Sequence, residues 1–209
     1  EIDRLRHAST AALLSRHDVI ICASVSCIYG LGSPEYYRDI TAGLSVGEKF
    51  DRNLILKKLV DMQYNRSDVL ARGKFRLTGN ILEVMTPGRE VVTRIDAEYN
   101  EIKKIFEYDF LTGEELGKLE KAIIYPAKHF VVPEPVMEEA LAEIQKELDE
   151  QVEYLKKNGK LLEAERLCRR TKQDLEMMKE IGYCNGIENY SRYLTGRQVG
   201  EAPYTGNNF

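Results

Sequence analysis

Lys74-Phe75-Arg76-Leu77-Thr78 alternates polar and apolar residues one for one. A period of two is the mark of a strand with one face buried and one face wet. Phe75 and Leu77 then share one face, and Lys74, Arg76 and Thr78 share the other. Runs of the same kind follow at Ile81 to Met85, Val91 to Ala97, Ile102 to Tyr108 and Ala122 to Tyr125. Pro87-Gly88 and Thr112-Gly113 supply turns between them. Short strands joined by tight turns predict an antiparallel sheet. In the run from Val91, Arg94 and Asp96 lie opposite Thr93 and Ile95, so the sheet has a core face and a charged face.

Outward from this sheet the period changes to that of helices. Leu54 to Met62 reads as one helix. From Pro135, the positions Met137, Leu141, Ile144, Leu148, Val152 and Leu155 step by three and four. Asn158-Gly159 breaks that run, and Leu161, Ala164, Cys168, Thr171, Leu175 and Met178 resume it. Two helices joined at a glycine form an αα-hairpin, and the apolar stripe is read as packing rather than as a groove for a partner. At the other end, residues 1–16 read as a helix and Val19 to Ser24 as a short buried strand. Ser33-Pro34-Glu35 opens a further helix, with Ser as N-cap and Pro in the first position. Thr195 to Phe209 reads as irregular.

Composition narrows the class of protein. The 209 residues carry a net charge of −4, with 43% hydrophobic and 31% charged. That suits one large domain or two small ones with a real core. Any contact with nucleic acid must be local, because the overall charge does not favour it. No apolar run approaches the roughly 18 residues of a membrane span, so no membrane association is expected. Cys22, Cys27, Cys168 and Cys184 contain no CxxC and read as reduced thiols of a cytoplasmic protein. His7, His17 and His129 are far apart in sequence and are read as surface or core residues, so no metal site is expected. No nucleophile–base pair stands out, and no catalytic residue is assigned. The first residue is Glu rather than Met, which suggests a fragment or a processed chain.

Gly182-Tyr183-Cys184-Asn185-Gly186-Ile187-Glu188-Asn189-Tyr190-Ser191-Arg192 is chemically unusual. Two glycines free the backbone, aromatics and an Ile can press on a ring or a base, and Glu188 and Arg192 bring opposite charge. Three separated stretches now point one way: Val19 to Pro34, Gly159 to Leu167, and this segment preceded by Asp174-Leu175-Glu176-Met177-Met178. Together they closely resemble the UvrB family, the component of the bacterial UvrABC excinuclease that verifies damage in nucleotide excision repair. The likeness runs in order to about Thr205; Gly206-Asn207-Asn208-Phe209 departs from the family's usual continuation.

The resemblance implies an α+β chain. Residues 1–39 would be a remnant of a helicase-like α/β domain, its strand expected to fray without its sheet neighbours. Residues 40–131 would be the UvrA-binding insert and residues 132–209 a helical segment leading back to the helicase core. The family's ATP and Mg²⁺ belong to a P-loop and an acidic motif that this sequence lacks, so no cofactor is expected here and no ATP hydrolysis. The family's DNA-clamping hairpin would lie upstream of Glu1. The positions that would carry contact with UvrA are Arg66, Arg76, Arg94 and Asp96; Thr78 and Asn80 stand where the family often has charge. The positions that would face DNA or that hairpin are Ser24, Ser26, Tyr29, Arg170, Tyr183, Cys184, Ile187 and Glu188. On the residues alone, Ser24 and Ser26 either bind phosphate or cap local turns, and Glu188 either faces DNA or closes an internal ion pair. Damaged DNA and, for the whole protein, UvrC are the further partners implied. The alternative is the transcription-repair coupling factor, which has a related UvrA-binding module.

Overall fold

The computed structural model describes residues 1–24, 27 and 31–208. Helix α1 spans Ile2–Ser15 and α2 spans Pro34–Asp39. Ser33 does hold the N-cap position of α2, although its side chain makes no capping bond. Residues 19–24 do not form the buried strand that their apolar run suggests. They are irregular, and Ile20 is 93% exposed. A strand of this composition needs neighbours on both sides, and none lies beside it among the described residues. Ser26 and Tyr29 lie outside the described residues.

Strand β1 (Ala42–Ser45) and helix α3 (Arg52–Asp61) lead into the sheet. Asp51 caps α3, its carboxylate accepting the Leu54 backbone N–H at 3.1 Å. The strands are β2 (Asn65–Arg66), β3 (Lys74–Thr78), β4 (Ile81–Met85), β5 (Val91–Glu98), β6 (Glu101–Asp109) and β7 (Glu115–Leu119). They form one six-stranded sheet in sequence order, antiparallel except for the β2–β3 pair. The β5–β6 hairpin turns through Tyr99 and Asn100, whose φ of 51° and 62° is the left-handed pair such a tight turn needs. Strand β8 (Lys121–Ile124) returns to pair antiparallel with β1.

The predicted alternation is realised. Phe75, Leu77, Leu82, Val84, Ile95, Ala97, Ile102 and Ile105 face one way and pack with Leu59 and Met62 at the end of α3. Burying each large apolar side chain stabilises the fold by about 1.5–3 kcal/mol. The opposite face stays largely open, apart from a small cluster of Leu70, Met85 and Val92 with Tyr108.

The helical half holds a second core. Helix α4 (Glu134–Lys157) and helix α5 (Leu161–Ile181) form the expected hairpin, turning at Gly159. Met137, Ala140, Ile144 and Met178 pack with Cys184, Ile187 and Leu194 from the segment after α5. That segment contains a short 3₁₀ turn, Ile187–Tyr190, and helix α6 (Ser191–Leu194). Helix α1 rests on the β4–β5 turn. A Cβ at Gly88 would lie 2.8 Å from the Ala8 backbone nitrogen, so only glycine permits the approach.

Candidate functional site

The open face of the sheet carries a continuous line of side chains. Arg76 on β3 sits opposite Glu83 on β4, Glu83 opposite Arg94 on β5, Arg94 opposite Phe106 on β6, and Phe106 opposite Lys118 on β7. Glu83 is the buried member, 6% exposed. It binds Arg76 at 2.7 Å and accepts the Tyr108 hydroxyl at 2.8 Å. Burial, followed by that bond to Glu83, pushes the Tyr108 hydroxyl up to about 12. Arg94 Nε donates to Asp96 Oδ1 at 2.8 Å, and that bond raises the guanidinium pKa. Lys104 Nζ stands 3.8 Å from the Phe106 ring centroid and the Arg94 guanidinium 5.5 Å from it. Two cations thus flank one aromatic ring on a half-exposed surface.

Of the residues singled out for partner contact, Arg76, Arg94 and Asp96 come together here. Arg66 does not. It lies on the edge strand β2, paired with Phe75 rather than with the Arg76 line. Glu83, Lys104, Phe106 and Tyr108 were not singled out from the sequence. The available signal was Glu83 itself, a charge in the otherwise apolar strand Ile81 to Met85.

A pocket of about 440 Å³ lies where α1, the segment after β8 and the segment after α5 converge. Asp3, Arg6 and His7 come from α1; Lys128, His129 and Phe130 follow β8; Tyr183, Ile187 and Glu188 follow α5. The His7 and His129 rings stack with centroids 3.6 Å apart, planes 24° from parallel. His7 Nε2 is 3.9 Å from one Asp3 carboxylate oxygen, and His129 Nδ1 is 3.8 Å from the other. Burial chiefly, then neighbouring Arg6 and Lys128, lowers the His7 pKa to about 4. Burial and His7 lower that of His129 to about 3. Both rings are therefore neutral near pH 7, and their contacts with Asp3 are not ion pairs. His7 Nδ1 and His129 Nε2 are buried with no hydrogen-bond partner. Lys128 Nζ lies 5.0 Å from the Tyr183 ring centroid.

The remaining predicted positions separate. Tyr183 and Glu188 line the pocket. Cys184 and Ile187 are core residues, 0% and 2% exposed, which corrects their placement on a DNA-facing surface. Their apolar character is accounted for by packing against α4 and α5, with Ile187 flooring the pocket. Burial pushes the Cys184 thiol up to about 11. Arg170 is exposed and sits 4.0 Å from Asp174, which also accepts the Tyr190 hydroxyl at 2.7 Å. Arg192 pairs with Glu147 of α4 at 2.8 Å rather than with Glu188. Ser24 is exposed at the end of the irregular stretch.

Two family descriptions match this chain: the UvrB interaction domain over residues 43–130 and the UvrB third helical domain over residues 135–196. The chain belongs to the UvrB family. It is 54% identical to UvrABC system protein B of Symbiobacterium thermophilum, across 98% of this chain and 31% of that protein. The same-named proteins of Bacillus caldotenax and Bacillus subtilis are 52% and 53% identical, again over 98% of this chain and 31% of their own length. The chain therefore spans about a third of the UvrB relatives it matches. The likeness includes the helical hairpin and the Gly182–Arg192 segment as well as the sheet domain, which favours UvrB over the coupling-factor alternative. Among the described residues, no helix is long and apolar enough to cross a membrane.

Proposed function

We propose that this chain binds UvrA through the open face of its sheet, as part of the damage-verifying step of nucleotide excision repair. The observation that carries the reading is the line Arg76–Glu83–Arg94–Phe106–Lys118 on a face left largely open. A charged, half-exposed sheet face with an aromatic at its centre is suited to a partner of complementary charge. Glu83 and Asp96 hold the two guanidinium groups in place, so little side-chain freedom is lost on docking. Each guanidinium keeps further N–H donors for a carboxylate on the partner. Losing one such partner from a buried interfacial pair typically costs about 2–5 kcal/mol.

In the same reading, Tyr183, Glu188 and Arg170 stand beside a DNA path. The pairing of Tyr183 with Lys128, and of Arg6 with the same pocket, supports contact with a phosphate backbone and an adjacent base without sequence preference. The chain contributes binding rather than hydrolysis; ATP, Mg²⁺ and UvrC concern the rest of a whole UvrB.

The test is size-exclusion chromatography of the chain with UvrA or its UvrB-binding domain. Arg94→Glu and Arg76→Glu should each abolish the complex while circular dichroism stays that of the parent. If both folded variants co-elute with UvrA as the parent does, another face carries the contact.

A further inference from the structure

We propose that Asp3, His7 and His129 form a binding site for one borderline transition-metal ion, Zn²⁺ foremost, which fastens α1 to the segment between β8 and α4. Their three donor atoms lie within 4.8 Å of one another, although His129 is remote from the other two in sequence. One nitrogen of each imidazole, His7 Nε2 and His129 Nδ1, is 3.8–3.9 Å from an Asp3 oxygen. A tetrahedral ion bound at the usual 2.0–2.2 Å holds its donors ~3.4 Å apart, so the three side chains must close on it by rotamer adjustment. Two imidazoles and one carboxylate suit Zn²⁺, Co²⁺ or Ni²⁺, whereas Mg²⁺ and Ca²⁺ prefer oxygen donors. The fourth position opens into the pocket, where water or Glu188 can approach.

Both histidines are more than nine-tenths buried, and in each ring the nitrogen other than the one nearest Asp3, His7 Nδ1 and His129 Nε2, has no hydrogen-bond partner. Leaving such a nitrogen unsatisfied is unfavourable. Both rings are neutral, the form that coordinates metal. Coordination in the ring planes requires the stacked imidazoles to open from their present 24°. The pocket beside them has the room. Arg6 and Lys128 oppose a cation, and Asp3 and Glu188 favour it, so the site should bind more weakly than a cysteine-rich structural zinc site. Metal binding here does not depend on UvrA binding.

The test uses the 209-residue chain with Cys22, Cys27 and Cys168 replaced by Ser, stripped of metal with a chelator. Titration with Co²⁺ followed by visible absorption, and with Zn²⁺ by calorimetry, should give one ion per chain. The Co²⁺ spectrum should show nitrogen and oxygen ligation without thiolate charge transfer, and Tm should rise with free Zn²⁺. His7→Gln and His129→Gln should abolish binding, and Asp3→Asn should weaken it by more than about tenfold. His17→Gln should bind as the parent does. Absence of saturable binding, a thiolate spectrum, or unchanged affinity in Asp3→Asn overturns the site. Asp3 is exposed, so that variant decides the matter if the buried histidine variants fail to fold.

Discussion

Glu83 joins two functions of the sheet. It is a buried carboxylate with two partners, Arg76 and Tyr108, and it lies between the two arginines proposed to meet UvrA. Its strand neighbours Leu82 and Val84 face the apolar core, so Glu83 marks where the other face begins. Glu83→Ala leaves the Tyr108 hydroxyl half-buried and unpaired and frees the Arg76 guanidinium. Arg76 is partly exposed and water recovers some of its hydrogen bonding, so the discounted loss is about 1–3 kcal/mol. Glu83→Gln keeps an acceptor for Tyr108 and should lose less. Urea denaturation of the two variants and the parent measures the difference. Equal stability of Glu83→Ala and the parent would mean that this acid serves only the surface.

At the scale of elements, what the sequence revealed depended on whether a segment had an apolar face. Strands β3 to β6 and the α4–α5 hairpin were legible because Phe75, Leu77, Ile95, Met137 and Ile144 repeat at the period of their element. Strand β7 was not, because Glu115 to Lys118 are all exposed and only the ladder to β6 makes it a strand. Val19 to Ser24 misled for the opposite reason: an apolar run without a neighbour has nothing to pair with. The His7–His129 stack was illegible because no local period links α1 to the segment after β8. Surroundings also separate two glycines that end helical runs. Gly159 and Gly182 both have left-handed φ, 72° and 68°. A side chain at Gly159 meets open space, whereas at Gly182 it would lie 2.9 Å from Gln63 Nε2. Gln63 donates from there to the Ile181 carbonyl at 3.0 Å, tying the sheet domain to the end of α5. Gly159→Ala should therefore lose only the ~1–2 kcal/mol of left-handed strain. Gly182→Ala should lose that and the Gln63 contact as well, giving the lower Tm of the two. A Gly182→Ala Tm at or above that of Gly159→Ala would show that the Gln63 link contributes nothing.

The molecule as a whole is built on cores that respect chain order. Every member of the main sheet core falls between Ala42 and Ala127, and every member of the helical core between Phe130 and Leu194. Among the described residues, the joints between them include polar and aromatic contacts: Gln63 to Ile181, Lys128 over Tyr183, and α1 lying across the β4–β5 turn with His7 on His129. A domain whose apolar contacts are closed within one stretch of chain has the means to fold alone. Residues 40–131, expressed separately, should therefore unfold in urea as one cooperative transition. They should retain the complex with UvrA, since Arg76, Arg94, Asp96 and Phe106 all lie within them. The fragment should also lose any response to Zn²⁺, because it keeps His129 but neither Asp3 nor His7. Broad, non-cooperative unfolding would show that the joints to α1 and α5 are required for folding. Cooperative unfolding without UvrA binding would move the interface off the sheet face and toward the helical half.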